Sequence, residues 1–328
     1  MHVCVMVVIH CSTVFTQVKI LFNPEFTEED VTHYTSSIYY NVLHSVSKLS
    51  EYCINQNIAF KNQENEEAAK ELINLMESNN SLLITAKDVY DVKLAKKVKD
   101  LWDDENVRTQ FEKRYECQFH IPDGALHFLK DLNRIDPPTF KPSHEDILHC
   151  RRKTTGIVQV QFKNGEAIFK LIDVGGQRSE RKKWKSVFEG VDVLIYVASL
   201  GDYDLLCYED DSTNRLVESL DLFEEHMNVA FKDIPIMLFL NKTDVFKKKL
   251  TDGKTTLQQF FPDYEGGSDF DKASKFIEQK FMAKLKENKD RVHVHYTCAT
   301  NADNIRQVFD EVKNFVLKSG VSATNKPM

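Results

Sequence analysis

The stretch Leu171-Ile-Asp-Val-Gly-Gly-Gln-Arg178 constrains this chain more than any other. An apolar run stops at an aspartate, two glycines and a glutamine follow, and a basic helix-like segment, Ser179 to Val187, comes next. Such a strand belongs in a parallel α/β sheet, where ligands sit outside the carboxyl ends of the strands. Asp173 is then placed to hold a hydrated Mg²⁺. Gly176 lets the backbone approach a terminal phosphate closely, and the amide of Gln177 can orient an attacking water. The same letters alone also fit a plain strand closed by a Gly-Gly turn. The rest of the chain decides between the two.

Met1 to Ile9 reads as a buried strand and Ser12 to Phe22 as a helix that follows it closely. From about Pro24 to Ile135 the pattern is helical. Thr27-x-x-Asp30 resembles a capping box, and Ile38, Val42, Val46 and Leu49 recur at helical spacing. Glu64 to Met76 predicts a short helix. Asp88 is placed to cap a helix with Leu94, Val98, Leu101 and Trp102 on its apolar face, and Asp123 to begin another containing Leu126, Leu129 and Leu132. Pro137-Pro138 and Pro142 mark a linker. Beyond Cys150 strands and helices alternate. Ile157 to Phe162 alternates apolar and polar as an edge strand does. Ile168 to Val174, Val193 to Ala198, Ile236 to Leu240 and Val292 to Tyr296 are apolar runs of the kind buried on both faces. Helices are predicted at Asn214 to Val229, Phe270 to Lys289 and Asn304 to Leu317. The fold class is therefore α/β, interrupted after its first strand and helix by an all-helical insertion.

With 328 residues there is room for a sizeable core, and a hydrophobic share of 42% with 28% charged residues fits a soluble globular protein. A net charge of −7 argues against nucleic acid as the main partner. The cysteines, Cys4, Cys11, Cys53, Cys117, Cys150, Cys207 and Cys298, include no C-x-x-C pair, so neither a zinc framework nor a disulfide scaffold is indicated and a reducing compartment fits best. Met1 to Ile9 is far shorter than the roughly 20 residues that span a bilayer.

Two further segments carry chemistry. Ile236 to Asp244 is a buried strand ending in Asn241-Lys242-Thr243-Asp244. A carboxylate only accepts hydrogen bonds, and two neighbouring donors satisfy it best. Guanine offers such a pair, its ring N–H and exocyclic amine, whereas adenine reverses the polarity. Asp244 would thus select guanine, with Asn241 bracing the loop and the Lys242 stem against the base. After the last strand, Thr297-Cys-Ala-Thr300 puts a small residue, Ala299, where a backbone N–H can reach the guanine carbonyl. Ahead of Ile157, the run Arg151 to Gly156 offers a Thr154 hydroxyl for Mg²⁺ and an arginine to neutralise charge on a transferred phosphoryl group. Gly253-Lys254-Thr255 imitates the end of a phosphate-binding loop without the glycine or the strand that should precede it, and reads as a decoy.

Together these residues resemble the α subunits of heterotrimeric G proteins. R-x-K-T-T-G, D-V-G-G-Q-R-x-E-R-x-K-W, N-K-x-D and T-C-A-T stand in that family's order and spacing, with Phe188-Glu-Gly-Val191, Tyr203-Asp204, Glu209-Asp210, Asn214-Arg215 and Leu101-Trp102 between them. The resemblance covers about residues 12 to 318. Arf-type small GTPases share D-V-G-G-Q but lack a helical insertion of this length. The resemblance implies a Ras-like P-loop-type GTPase domain, with a mostly parallel sheet and helices on both faces. Residues 1–22 would begin it, 23–142 would form the inserted helical domain, and 143–328 would complete it. It implies a GTP/GDP switch that hydrolyses GTP with Mg²⁺. Arg151 would be the arginine supplied in cis, Thr154 and Ser12 metal ligands, and Asp173 the Mg²⁺-side aspartate. Gly176 would sense the γ-phosphate and Gln177 orient water. Leu148, His149, Cys150, Arg151, Arg152, Lys153, Thr154, Asp173, Val174, Gly175, Gly176, Gln177, Asn241, Lys242, Thr243, Asp244 and Ala299 would contact nucleotide. Arg181, Lys182, Lys183 and Trp184 would meet a Gβγ dimer in the second switch. A G-protein-coupled receptor and effectors would be further partners, at the cytoplasmic, inner face of the plasma membrane.

The chain departs from the family at its start. The expected G-x-x-x-x-G-K-S loop is replaced by Ile9-His10-Cys11 ahead of Ser12, with Cys11 where the lysine belongs and His10 where glycine does, and the first glycine of the chain is Gly124. Losing that lysine and its amides removes contacts to a multiply charged group. There is no amphipathic N-terminal helix, no Met-Gly start and no C-terminal CaaX box. Two readings follow: an active switch, or a nucleotide-deficient Gα-like interaction protein that binds Gβγ or an effector without turnover. A truncated or mis-spliced chain whose Met1 to Cys11 replaces another beginning would account for the departure.

Overall fold

The computed structural model describes residues 2–8, 12–79, 82–114, 120–152, 154–165, 167–188 and 190–318. In chain order the elements are β1 (His2–Val8), α1 (Ser12–Phe22), α2 (Glu28–Asn55), α3 (Gln63–Ser78), α4 (Leu82–Val89), α5 (Val92–Trp102), α6 (Glu105–Glu112), α7 (Ala125–Leu129) and α8 (His144–His149). There follow β2 (Ile157–Asn164), β3 (Ala167–Val174), a 3₁₀ helix at Arg181–Val187, β4 (Val193–Ser199), α9 (Arg215–Met227), β5 (Ile236–Asn241), α10 (Thr243–Asp252), α11 (Leu257–Phe260), α12 (Phe270–Ala283), β6 (Val292–Tyr296) and α13 (Ala302–Lys318). They form two compact units, residues 1–24 with 153–328, and residues 25–152. The sequence reading set the later boundary at 142/143. Contacts place it after Arg152, because α8 is tied through Asp146 to Arg134 and His127.

In the first unit the strands lie in the order β2-β3-β1-β4-β5-β6, all parallel except β2. Period-two alternation sorts the side chains onto two faces. Met6, Ile172, Leu194, Tyr196 and Leu238 pack with α9, α10 and α12 residues, while Val5, Leu171, Ile195 and Phe239 pack with Val14 and Val18 of α1 and Phe309 and Val312 of α13. Each such side chain contributes about 1.5–3 kcal/mol through burial. β2 lies at the edge, as its alternating sequence predicted, and its Ile157 and Val158 both remain exposed. Register brings Val7 beside Asp173 and Ser199 beside Asn241, so the polar residues collect at the carboxyl ends of the strands.

The second unit is wholly helical among its described residues and packs around α2. Thr27 and Asp30 form the expected capping box, each side chain taking the other's backbone N–H at 3.1 Å. Ile38, Val42, Val46 and Leu49 are completely or almost completely buried. Three local expectations differ. Asp91, not Asp88, caps the helix bearing Leu94 and Trp102, accepting from the Leu94 N–H at 2.8 Å, because residues 82–89 form a helix of their own. The helix expected from Asp123 is only Ala125–Leu129, started by Gly124 without a side-chain cap, and Leu126 is exposed. Gly124 lies against the backbone of His149, where a Cβ would come within 2.0 Å of the carbonyl oxygen. In the first unit α12 stops at Ala283 rather than running to Lys289. Gly253 ends α10 with φ 64°, so the decoy segment is a helix terminus. No helix among the described residues is long and apolar enough to cross a membrane.

Candidate functional site

The site is built at the carboxyl end of the sheet, in two parts. The first gathers three oxygens. Ser12 opens α1 and its hydroxyl touches that of Thr154, whose Oγ1 lies 3.5 Å from Asp173 Oδ2 at the end of β3. Asp173 is only 5% exposed, and burial pushes its carboxyl up to about 7 against the pull of the Ser12 and Thr154 hydroxyls and the Val174 N–H. Among the described residues, hydroxyls and an amide face this buried carboxylate. An all-oxygen set of one carboxylate and two hydroxyls suits a hard cation such as Mg²⁺, and these three residues could hold it.

The Gly-Gly turn follows at once. A Cβ on Gly175 would stand 2.6 Å from the Thr154 carbonyl oxygen and 2.8 Å from Glu180, so only glycine fits there. Val174 and Gly175 are buried, whereas Gly176 and Gln177 are half-exposed. The Gln177 backbone carbonyl accepts from the Glu180 and Arg181 N–H groups. The following turn is latched on several sides. Trp184 Nε1 donates to the Gly175 carbonyl at 2.8 Å and Arg181 Nε to the Gly176 carbonyl at 3.1 Å. Arg178 pairs with Glu218 at 2.7 Å and Asp210 at 2.8 Å. Of the four residues expected to meet a partner, Lys182 and Lys183 are exposed and Arg181 is half-buried. Trp184 is buried and offers no surface in this conformation.

The second part is the loop after β5. Asn241, 1% exposed, accepts through Oδ1 from the Ala299 N–H and the Thr297 hydroxyl, each at 3.0 Å. Thr243 N–H and Oγ1 both donate to the Thr297 carbonyl at 3.2 Å. The two loops are thus stitched together, as the bracing role read from Asn241 requires. The Ala299 N–H already donates to Asn241, so a base carbonyl arriving there would share that donor. Lys242 sits in the left-handed region at φ 60° and its Nζ reaches Asp202 at 2.9 Å. Burial alone would raise the Asp202 carboxyl, but Lys242 and Arg215 outweigh it and hold it well below the usual range. Asp244 is exposed at the start of α10, beside the Cys298 thiol. Behind it Lys249 forms a buried pair with Asp204 and donates to the Gly201 carbonyl at 2.8 Å, fixing α10.

Leu148 and His149, half-buried, and the buried Cys150 belong to the helical unit, as do the exposed Arg151 and Arg152. Asn41, inside α2, clamps the Arg151 backbone: its Oδ1 accepts from Arg151 N–H at 2.8 Å and its Nδ2 donates to Arg151 O at 2.9 Å. Arg152 lies over the Tyr34 ring at 5.4 Å. The sequence reading missed Asn41, which lies on a helix whose buried residues include several serines, among them Ser37 and Ser45 four positions to either side. It also missed Asp202, which has no motif around it. His10, Cys11 and Lys153 lie outside the described residues.

This fold and site define a Ras-like α/β nucleotide-binding domain with an all-helical insertion. Comparison with known proteins narrows the class. The family model described as G-protein alpha subunit matches residues 11–316. The chain is 37% identical over 311 residues to a guanine nucleotide-binding protein G(o) subunit alpha of Locusta migratoria, covering 94% of this chain and 85% of that protein. It is 36% identical to an alpha-3 subunit of Caenorhabditis elegans, over 94% and 86% of the two chains. It is 35% identical to an alpha-2 subunit of Dictyostelium discoideum, over 93% and 84%. The chain belongs to the G-protein alpha subunit family, whose members are guanine-nucleotide-binding GTPases.

Proposed function

We propose that this chain is a GTP/GDP switch that works with a Gβγ dimer, a G-protein-coupled receptor and effectors, and that the residues above carry it. The observation that supports this reading most directly is the locked Asn241–Thr297–Ala299 brace beneath an exposed Asp244 carboxylate. Asp244 accepts the two adjacent donors of guanine, and Lys242, held by Asp202, lays its stem along the base. Leu148 to Thr154, Asp173 to Gln177 and Thr243 complete the nucleotide contacts. Ser12 and Thr154 are the candidate Mg²⁺ ligands and Asp173 holds the ion through water; the ion, when bound, would offset phosphate charge. Gln177 orients the attacking water and Arg151 stabilises the charge that develops on the phosphoryl group. The exposed Lys182 and Lys183, with Arg181 and a Trp184 released from its pocket, form the surface for Gβγ. The protein then works at the inner face of the plasma membrane.

The test is filter binding of radiolabelled GDP to the purified chain in Mg²⁺, beside Asp244→Asn. Guanine-selective binding that the variant weakens by at least about 100-fold is expected, since a site built around hydrogen bonds rejects a mismatched partner strongly. Absence of binding by the folded wild-type chain would overturn the switch reading and favour the nucleotide-deficient interaction protein, for which His10 and Cys11 in place of glycine and lysine are the sequence argument.

A further inference from the structure

Glu180, at the head of the 3₁₀ helix Arg181–Val187, is only 8% exposed. Its side chain runs back across the Gly-Gly turn. A Cβ on Gly175 would come within 2.8 Å of both Glu180 Cβ and Cγ, so the stem lies in the space this glycine leaves open. The carboxylate at its end reaches a different segment. Oε2 accepts the Gly156 N–H at 2.7 Å, from a residue 24 positions earlier where the chain turns with φ 74°. The Lys183 ammonium donates to the same oxygen at 2.6 Å and supplies the opposite charge that a buried carboxylate needs.

The backbone of Glu180 holds the other side. Its N–H donates to the Gln177 carbonyl at 2.9 Å and closes the turn that carries Gln177. The Gly156 carbonyl in turn accepts from the Gly175 N–H at 3.4 Å, and the Thr154 carbonyl lies against Gly175. One residue thus joins two segments. The first is Thr154 to Gly156, with the hydroxyl that touches Ser12 and faces Asp173, and the second is Gly175 to Gln177. Of these contacts the bond from Gly156 to the carboxylate is short and charge-assisted, whereas the one from Gly175 to Gly156 is long and weak.

We infer that Glu180 is a positioning residue for GTP hydrolysis, clasping Thr154–Gly156 to the Gly-Gly turn so that the Thr154 hydroxyl and the Gln177 amide reach the phosphate together. The roles of Thr154 and Gln177 rest on the switch reading above, while the clasp belongs to the fold itself. Closed, it makes the two segments one rigid body. Open, it lets each lose its register with the other, and small misplacements of reacting groups are costly.

Glu180→Met and Glu180→Gln separate the clasp from packing. Glu180→Met keeps a stem over Gly175 but offers only a weak acceptor, whereas Glu180→Gln keeps an oxygen acceptor without the charge. Hydrogen exchange of the nucleotide-free chain, resolved at the Gly156 amide by fragmentation mass spectrometry, should quicken roughly 10–100-fold in Glu180→Met. Glu180→Gln should recover part of that, and unchanged exchange in β4 and β5 shows that both variants are folded. Single-turnover GTP hydrolysis should fall by roughly 100-fold in Glu180→Met, as misplacement by about 1 Å does, while GDP affinity stays within about 3-fold of wild type. Unchanged Gly156 exchange in Glu180→Met would overturn the clasp, and faster exchange with unaltered hydrolysis would overturn its positioning role. A wild-type chain that neither binds nor turns over GTP defeats the switch reading and with it the catalytic assignment, and the exchange measurement then still decides the clasp.

Discussion

The two parts of the site, proposed to take base and phosphate, are organised in opposite ways. Around Asn241 the loop junction is held by partners from the chain itself, through Thr297, Ala299 and Thr243, with Lys242 held by Asp202. Around Asp173 the described residues supply hydroxyls and an amide, and burial lifts the carboxyl to about 7. One side is braced as folded. The other is proposed to take a cation. Recognition of a base can be prebuilt by the fold, whereas handling phosphate requires groups that change partners with nucleotide state.

Asn241→Ala should break this contrast most severely. It strands the buried Thr297 hydroxyl and Ala299 N–H, and urea unfolding without nucleotide should show a loss of about 2–4 kcal/mol. An unchanged midpoint would mean the brace is redundant. Asp173→Asn should behave in the reverse manner. Without Mg²⁺ its stability should equal or exceed that of the wild type. GDP with Mg²⁺, taken as one Mg·GDP ligand at a hundred times its dissociation constant, should then add about 2.7 kcal/mol to the wild type and little to the variant. Thermal unfolding with and without the pair of ligands measures both.

Acid should discriminate the base side more gently. Asp202 has a folded pKa below its unfolded value of about 3.9, so the folded state binds fewer protons there. Its contribution is present above pH 4 and is lost as pH falls further, with a slope of at most about 1.4 kcal/mol per pH unit. Asp202→Asn should flatten the acid limb of a stability–pH curve, and an unaltered limb would exclude the ion pair with Lys242 as its source. The smallest effect on folding is expected at Lys183, half-exposed and paired with Glu180 at 2.6 Å. Lys183→Ala should change stability by less than about 1 kcal/mol, while capture by purified Gβγ weakens several-fold.

Apolar runs made β4 and β5 legible because burial on both faces leaves no polar positions there, and β2 was legible as an edge for the opposite reason. β6, also read as buried on both faces, is instead a half-buried edge strand carrying His293 and His295. The motif residues at strand ends were legible because their chemistry is local to a few consecutive positions. What escaped depends on distant pairs. Asn41 clamps a backbone 110 positions away and Asp202 meets a lysine 40 positions away, and neither has a neighbour in sequence that announces it. Asp88 was chosen over Asp91 because both precede the same apolar face. Only the fully buried Tyr90, which ends the preceding helix, shows which aspartate stands at the boundary.

The chain contains two tryptophans, and the fold assigns one to each unit. Trp102 meets Phe111 edge-on inside the helical core, a setting without any switch element. Trp184 is 1% exposed, donates its indole proton to Gly175 at the head of the Gly-Gly turn, and has His226 5.1 Å away. Any rearrangement that frees the Gly175 carbonyl must alter both the hydrogen bond and the polarity sensed by that ring. The molecule therefore carries an intrinsic emission reporter on the turn after Gly176, and Trp102→Phe would leave it as a single-chromophore signal.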